Sequence, residues 1–214
     1  METTKAYPVT RLFGALVATA WTLPIALLMP TAAAEPCPDV EIVFARGTTE
    51  PPGVGGVGQA FVDALRSQLP GRSIGVYAVD YPASNDFDNS APAGANDASA
   101  HIQSMAANCP NTRMVLGGYS QGAGVVDLST SAMPPEVANH VAAAALFGGP
   151  KSAFADSLSP GPLPTIGAPY ASKTIELCVP NDPICSDGRD MRAHVAYIQT
   201  GMVNQAATFA GSRL

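Results

Sequence analysis

Residues 114–129 read MVLGGYSQGAGVVDLS and fall into three pieces. Met114–Gly117 is a short apolar run of the kind that forms a buried strand. Gly118-Tyr119-Ser120-Gln121-Gly122 is a G-x-S-x-G. Gln121 to Thr130 reads as a helix, with Gly124 adding a further small residue for close packing on a sheet. A sharp strand-to-helix turn lifts a serine hydroxyl clear of the sheet, and glycines on either side remove the clashes of such a turn. The helix start behind it supplies free N–H groups and a positive dipole end. Alone, the motif is only a glycine-rich turn feeding a helix; its place between strand and helix gives it meaning.

Four more apolar runs surround this unit. Val40–Ala45, Ile74–Val79, Val141–Phe147 and Thr174–Val179 read as strands, and most are continuous rather than alternating, which fits strands covered on both faces. The alanine-rich Val141–Phe147 also has a helical reading. Helical patterns lie between the strands. Val57, Phe61, Leu65 and Leu69 recur every four residues, Ala98 to Ala107 forms a second pattern, and Met133-Pro134-Pro135-Glu136 opens a short helix. Val195, Ile198, Met202 and Phe209 fall on one stripe and predict a C-terminal helix. Ser157–Ala168 is an irregular Pro/Gly-rich loop. Alternating strands and helices imply an α/β domain, a five-stranded parallel sheet with right-handed crossovers and helices on both faces. Ligands on such sheets sit at the carboxyl ends of the strands.

A serine hydroxyl is a weak nucleophile until a base takes its proton. Three histidines are available. His101 lies in a helical stretch and reads as surface or structural. His140 begins the fourth strand, the wrong end of a parallel sheet. His194 follows the fifth strand on the expected edge and is the candidate base. The base needs a carboxylate to fix its tautomer. Asp182, inside Cys178-Val-Pro-Asn-Asp-Pro-Ile-Cys185, is the candidate, with Asp187 and Asp190 as competitors. The order Ser120, Asp182, His194 is the nucleophile–acid–base order of α/β-hydrolases. A developing oxyanion needs two donors. The N–H of Gln121 follows the nucleophile, and Thr48, in Arg46-Gly47-Thr48-Thr49-Glu50 after the first strand, supplies an N–H and a hydroxyl. Gly53-Val54-Gly55-Gly56-Val57-Gly58 matches G-x-G-x-x-G, with Asp80 at the end of the second strand. Six residues separate it from the first strand, so the tight turn of a dinucleotide site is missing.

The 214 residues carry 11 Lys+Arg and 17 Asp+Glu, a net charge of −6. No basic stripe exists for a phosphate backbone, so nucleic acid is not an expected partner. At 47% hydrophobic residues the chain is no disordered polyelectrolyte, and its 20 Gly and 20 Pro speak for many turns around one compact domain. Between Arg11 and Glu35 lie 23 uncharged residues, preceded by Lys5 and Arg11 and ending on Ala32 and Ala34. That is the pattern of a secretory signal peptide over residues 1–34; an uncleaved anchor is the alternative. A lipoprotein leader fits less well, because Glu35 and Pro36 precede Cys37. Cleavage after Ala34 leaves 180 residues with 9 basic and 16 acidic side chains, a charge of −7 and no Trp. The four cysteines, Cys37, Cys109, Cys178 and Cys185, suggest two disulfides. Three pairings are open, and Cys178–Cys185 with Cys37–Cys109 is the locally cheapest. A four-cysteine metal site is disfavoured, since no C-x-x-C pair occurs.

Four segments together resemble the cutinase family, in particular its actinobacterial cutinase-like branch: Phe44-Ala-Arg-Gly-Thr-Thr-Glu50, Gly118-Tyr-Ser-Gln-Gly122, Cys178…Asp182-Pro-Ile-Cys185 and His194. The likeness runs from Cys37 to the C-terminal helix. It implies a lidless α/β-hydrolase and secreted serine-esterase activity on short to medium acyl esters, sometimes on polyesters such as cutin. It assigns Ser120 as nucleophile, Asp182 as acid and His194 as base. It places Thr48 where the family often has Ser as an oxyanion donor, and it implies the pairs Cys37–Cys109 and Cys178–Cys185. A phospholipase, a thioesterase or an acyltransferase would use the same three residues; a silent binding protein would not need them. The expectation is a monomer acting on a small ester, lipid or polyester, without cofactor or metal, in the extracellular space or at the cell wall, and not inserted in the membrane after cleavage.

Overall fold

A computed structural model describes residues 1–6, 37–159 and 161–214. Residues 1–6 have no regular secondary structure. Nearly all of the expected leader 1–34, with Ala32 and Ala34, lies outside the described residues, and so does the choice between cleavage and anchoring.

From Cys37 onward the strands are β1 (Val40–Ala45), β2 (Ile74–Ala78), β3 (Arg113–Tyr119), β4 (Val141–Phe147) and β5 (Thr174–Leu177). They form one parallel sheet in the order β2-β1-β3-β4-β5. Every residue of β1 and β4 is buried, Glu41 of β1 included, so their nearly continuous apolar runs reflect cover on both faces, and the alanine-rich segment is a strand. Edge strand β2 is only half-buried. The helices are α1 (Gly55–Gln68), α2 (Phe87–Asn108), α3 (Gln121–Ala132), the single turns α4 (Ala153–Asp156) and α5 (Met191–His194), and α6 (Met202–Gly211). Short 3₁₀ turns at Pro135–His140 and Ala168–Lys173 lead into β4 and β5.

Two apolar layers sandwich the sheet. On one face α1 and α6 pack Phe61, Leu65, Val203 and Ala207 against Phe44 and Phe147. On the other, α2 and α3 pack Ile102, Val125 and Val126 against Val43, Leu116 and Leu146. The chain winds outward from β1 to β2, crosses to β3, and then winds the other way. The reversal falls between β1 and β3, and that crevice is where open parallel sheets bind ligands. The turns after those two strands carry Thr48 and Ser120.

Two helical expectations need correction. The second helix starts at Phe87, well before Ala98, and it contains Pro92. The stripe from Val195 to Phe209 is not one helix. Gly201 takes a left-handed φ of 75° and starts α6 afresh, and Val195 and Ile198 lie exposed before it. Their apolar spacing matched a helical face without a core behind it.

Candidate active site

Ser120 sits between the end of β3 and the first residue of α3 with φ 55° and ψ −121°, a conformation rare outside glycine. Its N–H donates to the Phe147 carbonyl at 2.8 Å, and its own carbonyl accepts the Ala123 N–H at 2.9 Å. The flanking glycines are steric requirements. A Cβ on Gly118 would stand 2.2 Å from the Gly122 carbonyl oxygen, and one on Gly122 would stand 2.0 Å from that of Ala45. Backbone this close cannot yield to a side chain, so the turn holds its serine in one place.

The Ser120 Oγ lies 2.9 Å from Nε2 of His194. On the other side of the ring, Nδ1 lies 2.8 and 3.0 Å from the two carboxylate oxygens of Asp182. An ionised carboxylate only accepts, so Nδ1 carries the proton and Nε2 is left to accept from the serine. Asp182 is fully buried and His194 nearly so. Asp182 Oδ1 also accepts the Ile184 N–H at 2.8 Å, and Oδ2 accepts the Tyr197 hydroxyl at 2.6 Å. Burial pushes this carboxyl up, but the hydrogen bonds from His194, Tyr197 and the Ile184 N–H outweigh it, and the net position is below the ordinary aspartate value. The carboxylate therefore stays charged beside the imidazole. Tyr197 is shifted the other way, by burial and by its bond to that carboxylate.

The acid loop is closed by a Cys178–Cys185 disulfide, and the second disulfide is Cys37–Cys109. Among the described residues no cysteine is free. Within the loop the Asp182 N–H donates to the Val179 carbonyl at 3.0 Å, and the Asp182 carbonyl accepts the Ser186 N–H at 3.0 Å. Asp187 is exposed, and Asp190 caps α5 by accepting the Arg192 N–H. Asp182, and neither of these two, meets the His194 ring. His101 stacks on Tyr77 at 3.5 Å and bonds to Glu41, away from the crevice. His140 ends the 3₁₀ turn before β4.

Ser120 and His194 open onto a cleft of about 1000 Å³ that Thr48 and Gln121 also line. Gln121 is the first residue of α3, where a backbone N–H has no intrahelical acceptor. The walls are mainly apolar. Phe87, Ala91 and Pro92 of α2 line it, together with Phe154 and Leu158. The early start of α2 thus supplies a wall that the sequence pattern did not reveal. Among the described residues no group of three or more His, Cys, Asp or Glu side chains could hold a metal ion. The G-x-G-x-x-G segment starts α1, and its helix end is already occupied by an internal anion: Glu50 Oε1 accepts the Gly56 N–H at 2.8 Å.

Tyr119 and Tyr197 escaped the sequence reading. Tyr119 donates its hydroxyl to the His194 carbonyl at 2.7 Å and stacks on the imidazole with ring centres 5.2 Å apart. Tyr197 ties Asp182 to α5's exit. The available signals were closeness in sequence, one residue before the serine and three after the histidine.

The cutinase family profile matches residues 36–214. The chain belongs to the cutinase family. Its relatives include the carboxylesterase Culp1 of Mycobacterium tuberculosis, 62% identical over 206 residues and 95% of each chain. The phospholipase Culp4 of the same organism is 52% identical, covering 96% of this chain and 91% of its own. Among solved structures, the Trichoderma reesei cutinase bound to a phosphonate inhibitor aligns at a TM-score of 0.65 and 34% identity, over 82% of this chain and 76% of that one. This cutinase-family chain is a serine hydrolase of carboxylic esters. Its two disulfides and its family point to an extracellular protein. Among the described residues no helix is long and apolar enough to cross a membrane.

Proposed function

We propose that this protein is exported, with residues 1–34 removed as a signal peptide, and that residues 35–214 hydrolyse short to medium acyl esters through an acyl-enzyme on Ser120. The single observation that carries the reading is the continuous chain of hydrogen bonds from Ser120 through His194 to Asp182 at the foot of an apolar cleft.

His194 Nε2 takes the Ser120 proton as Oγ bonds to the ester carbonyl carbon. The carbonyl electrons move onto the oxygen, which the Gln121 N–H and Thr48 stabilise. The tetrahedral species collapses, the ester C–O bond breaks, and His194 returns the proton to the leaving alcohol. Water then attacks the acyl-enzyme with His194 again as base, and Ser120 is regenerated. Asp182 stays ionised throughout and stabilises the imidazolium. The acyl chain lies along the Phe87, Phe154 and Leu158 walls. Phospholipids are the second substrate class to test, because the 52% identical relative is named a phospholipase. Cutin-like polyesters are a third.

The test is a chain-length series of chromogenic acyl esters, with phospholipid and polyester arms, on wild type and Ser120→Ala. Wild type is expected to prefer short to medium chains, and Ser120→Ala to lose activity by at least about 10⁴-fold. Equal turnover by both proteins would reject the nucleophile. A phosphonate should label Ser120 once per chain, and labelling at another residue would reject it too.

A further inference from the structure

Arg46 is 4% exposed and follows β1 directly. Among the described residues no carboxylate lies within ion-pairing distance of its guanidinium. Its donors go to backbone carbonyls instead. Nε donates to Glu50 at 2.8 Å, Nη2 to Tyr81 at 2.6 Å, and Nη1 reaches Val79 at 3.4 Å. The guanidinium also lies 5.0 Å from the Tyr81 ring, and the Tyr81 hydroxyl donates back to the Arg46 carbonyl. A buried cation without an anionic partner is costly. Its geometry shows what it holds: the turn 46–50 on one side and the segment 79–82 on the other.

The two residues that follow that second segment, Ala83 and Ser84, meet the Thr48 turn and Gln121. Thr49 N–H donates to the Ala83 carbonyl at 2.7 Å, and the Gln121 side-chain amide donates to the carbonyl of the next residue, Ser84, at 2.8 Å. The Gln121 amide oxygen accepts from Ser90 at 2.8 Å, and Ser90 Oγ in turn accepts the Ser84 N–H at 3.1 Å. The turn bearing Thr48 and the residue Gln121 therefore lean on neighbouring carbonyls of one loop. Two left-handed residues, Thr49 at φ 63° and Ala83 at φ 49°, sit at the junction, conformations that surrounding contacts must enforce.

We infer that Arg46 is a positioning residue, fixing the separation between Thr48 and the Gln121 N–H by clamping the Thr48 turn to the loop after β2. The inference rests on Thr48 and Gln121 being the oxyanion donors. Arg46 touches no reacting atom. A fork of donors in a fixed plane suits several carbonyls at once, and a single ammonium does not. A donor displaced by about 1 Å can cost about 100-fold in rate, so the clamp should show in turnover and not in substrate binding.

The experiment measures kcat and KM for a short-chain ester with wild type, Arg46→Lys, Arg46→Met and Tyr81→Phe, at a temperature well below each protein's unfolding. Expected are a roughly 10- to 100-fold fall in kcat for Arg46→Met, a smaller fall for Arg46→Lys, and about 3- to 10-fold for Tyr81→Phe, each with KM within about twofold of wild type. The phosphonate labelling rate should fall in parallel with kcat. Were Arg46→Met not to fold, Arg46→Lys and Tyr81→Phe carry the comparison, since both keep the buried volume. Unchanged kcat in those two folded variants, or a loss confined to KM, overturns the inference. Ser120→Ala is run alongside: activity surviving there would reject the nucleophile and is read separately from the Arg46 series.

Discussion

The side chain that precedes Ser120 holds the backbone of His194: Tyr119 donates its hydroxyl to the His194 carbonyl at 2.7 Å while its ring stacks on the imidazole. Two of the three elements of the site are thus joined twice, once by Ser120 to Nε2 and once beneath it. Tyr119→Phe keeps the stacking and removes the bond. It leaves a buried carbonyl without its donor, at a cost of about 1–3 kcal/mol. We expect a lower melting temperature and a fall in kcat/KM of about 3- to 10-fold, checked by calorimetry and ester hydrolysis.

Tyr197 is one of three donors to the Asp182 carboxylate. Asp182 sits below its ordinary pKa in the folded protein, so it stabilises the fold above the unfolded value, and that contribution is lost as pH falls through the folded value. Tyr197→Phe should raise the folded value. The variant should lose about 1.5–3 kcal/mol at pH 7 and differ less from wild type as the pH drops below the ordinary aspartate value. Denaturant unfolding at a series of pH values checks this; a constant difference at every pH would contradict it.

Asp127, on α3, is buried, and its Oδ1 has no hydrogen-bond partner among the described residues. Burial pushes its carboxyl up to about 7, opposed by Lys151. The folded protein therefore holds this proton where the unfolded chain has released it, and stability declines as pH rises from about 4 to about 7, by about 4 kcal/mol at most. Asp127→Asn should remove that slope. Relative to wild type it should gain stability between pH 5 and pH 8, read from melting temperatures.

The two disulfides should divide stability and activity between them. Cys37–Cys109 spans 72 residues and Cys178–Cys185 spans 7. Loop closure alone assigns about 4 kcal/mol to the first and about 2.5 to the second. The short loop carries Asp182, whereas Cys109 stands at the end of α2. Replacing Cys37 and Cys109 by Ser should lower the melting temperature more. Replacing Cys178 and Cys185 should lower kcat/KM more. Parallel thermal and kinetic measurements on the two double variants decide the matter.

The turn at Ser120 was legible because its demands are local: glycines two residues either side, a strand in front and a helix behind. Asp182 and His194 were legible from chain order and from the side of the sheet. Tyr119, Tyr197 and Arg46 were not, because the partner of Tyr197 lies 15 residues away, that of Tyr119 lies 75 away, and Arg46 reaches a loop 35 residues on. Five strands could be read because short apolar runs bounded by turn residues fit strands covered on both faces, and Val141–Phe147, which also had a helical reading, is one of them. The final stripe misled because spacing records a possible face and not whether anything packs on it; Val195 and Ile198 are exposed instead, and Val195 lines the cleft.

Glu50 joins two backbones with one carboxylate, taking the Gly47 N–H at 2.6 Å on one oxygen and the Gly56 N–H at 2.8 Å on the other. The turn bearing Thr48 and the start of α1 are consequently a single part. An engineer who grafts this turn into another member of the family should transplant residues 46–58 together, because Thr48 alone would arrive without its anchor.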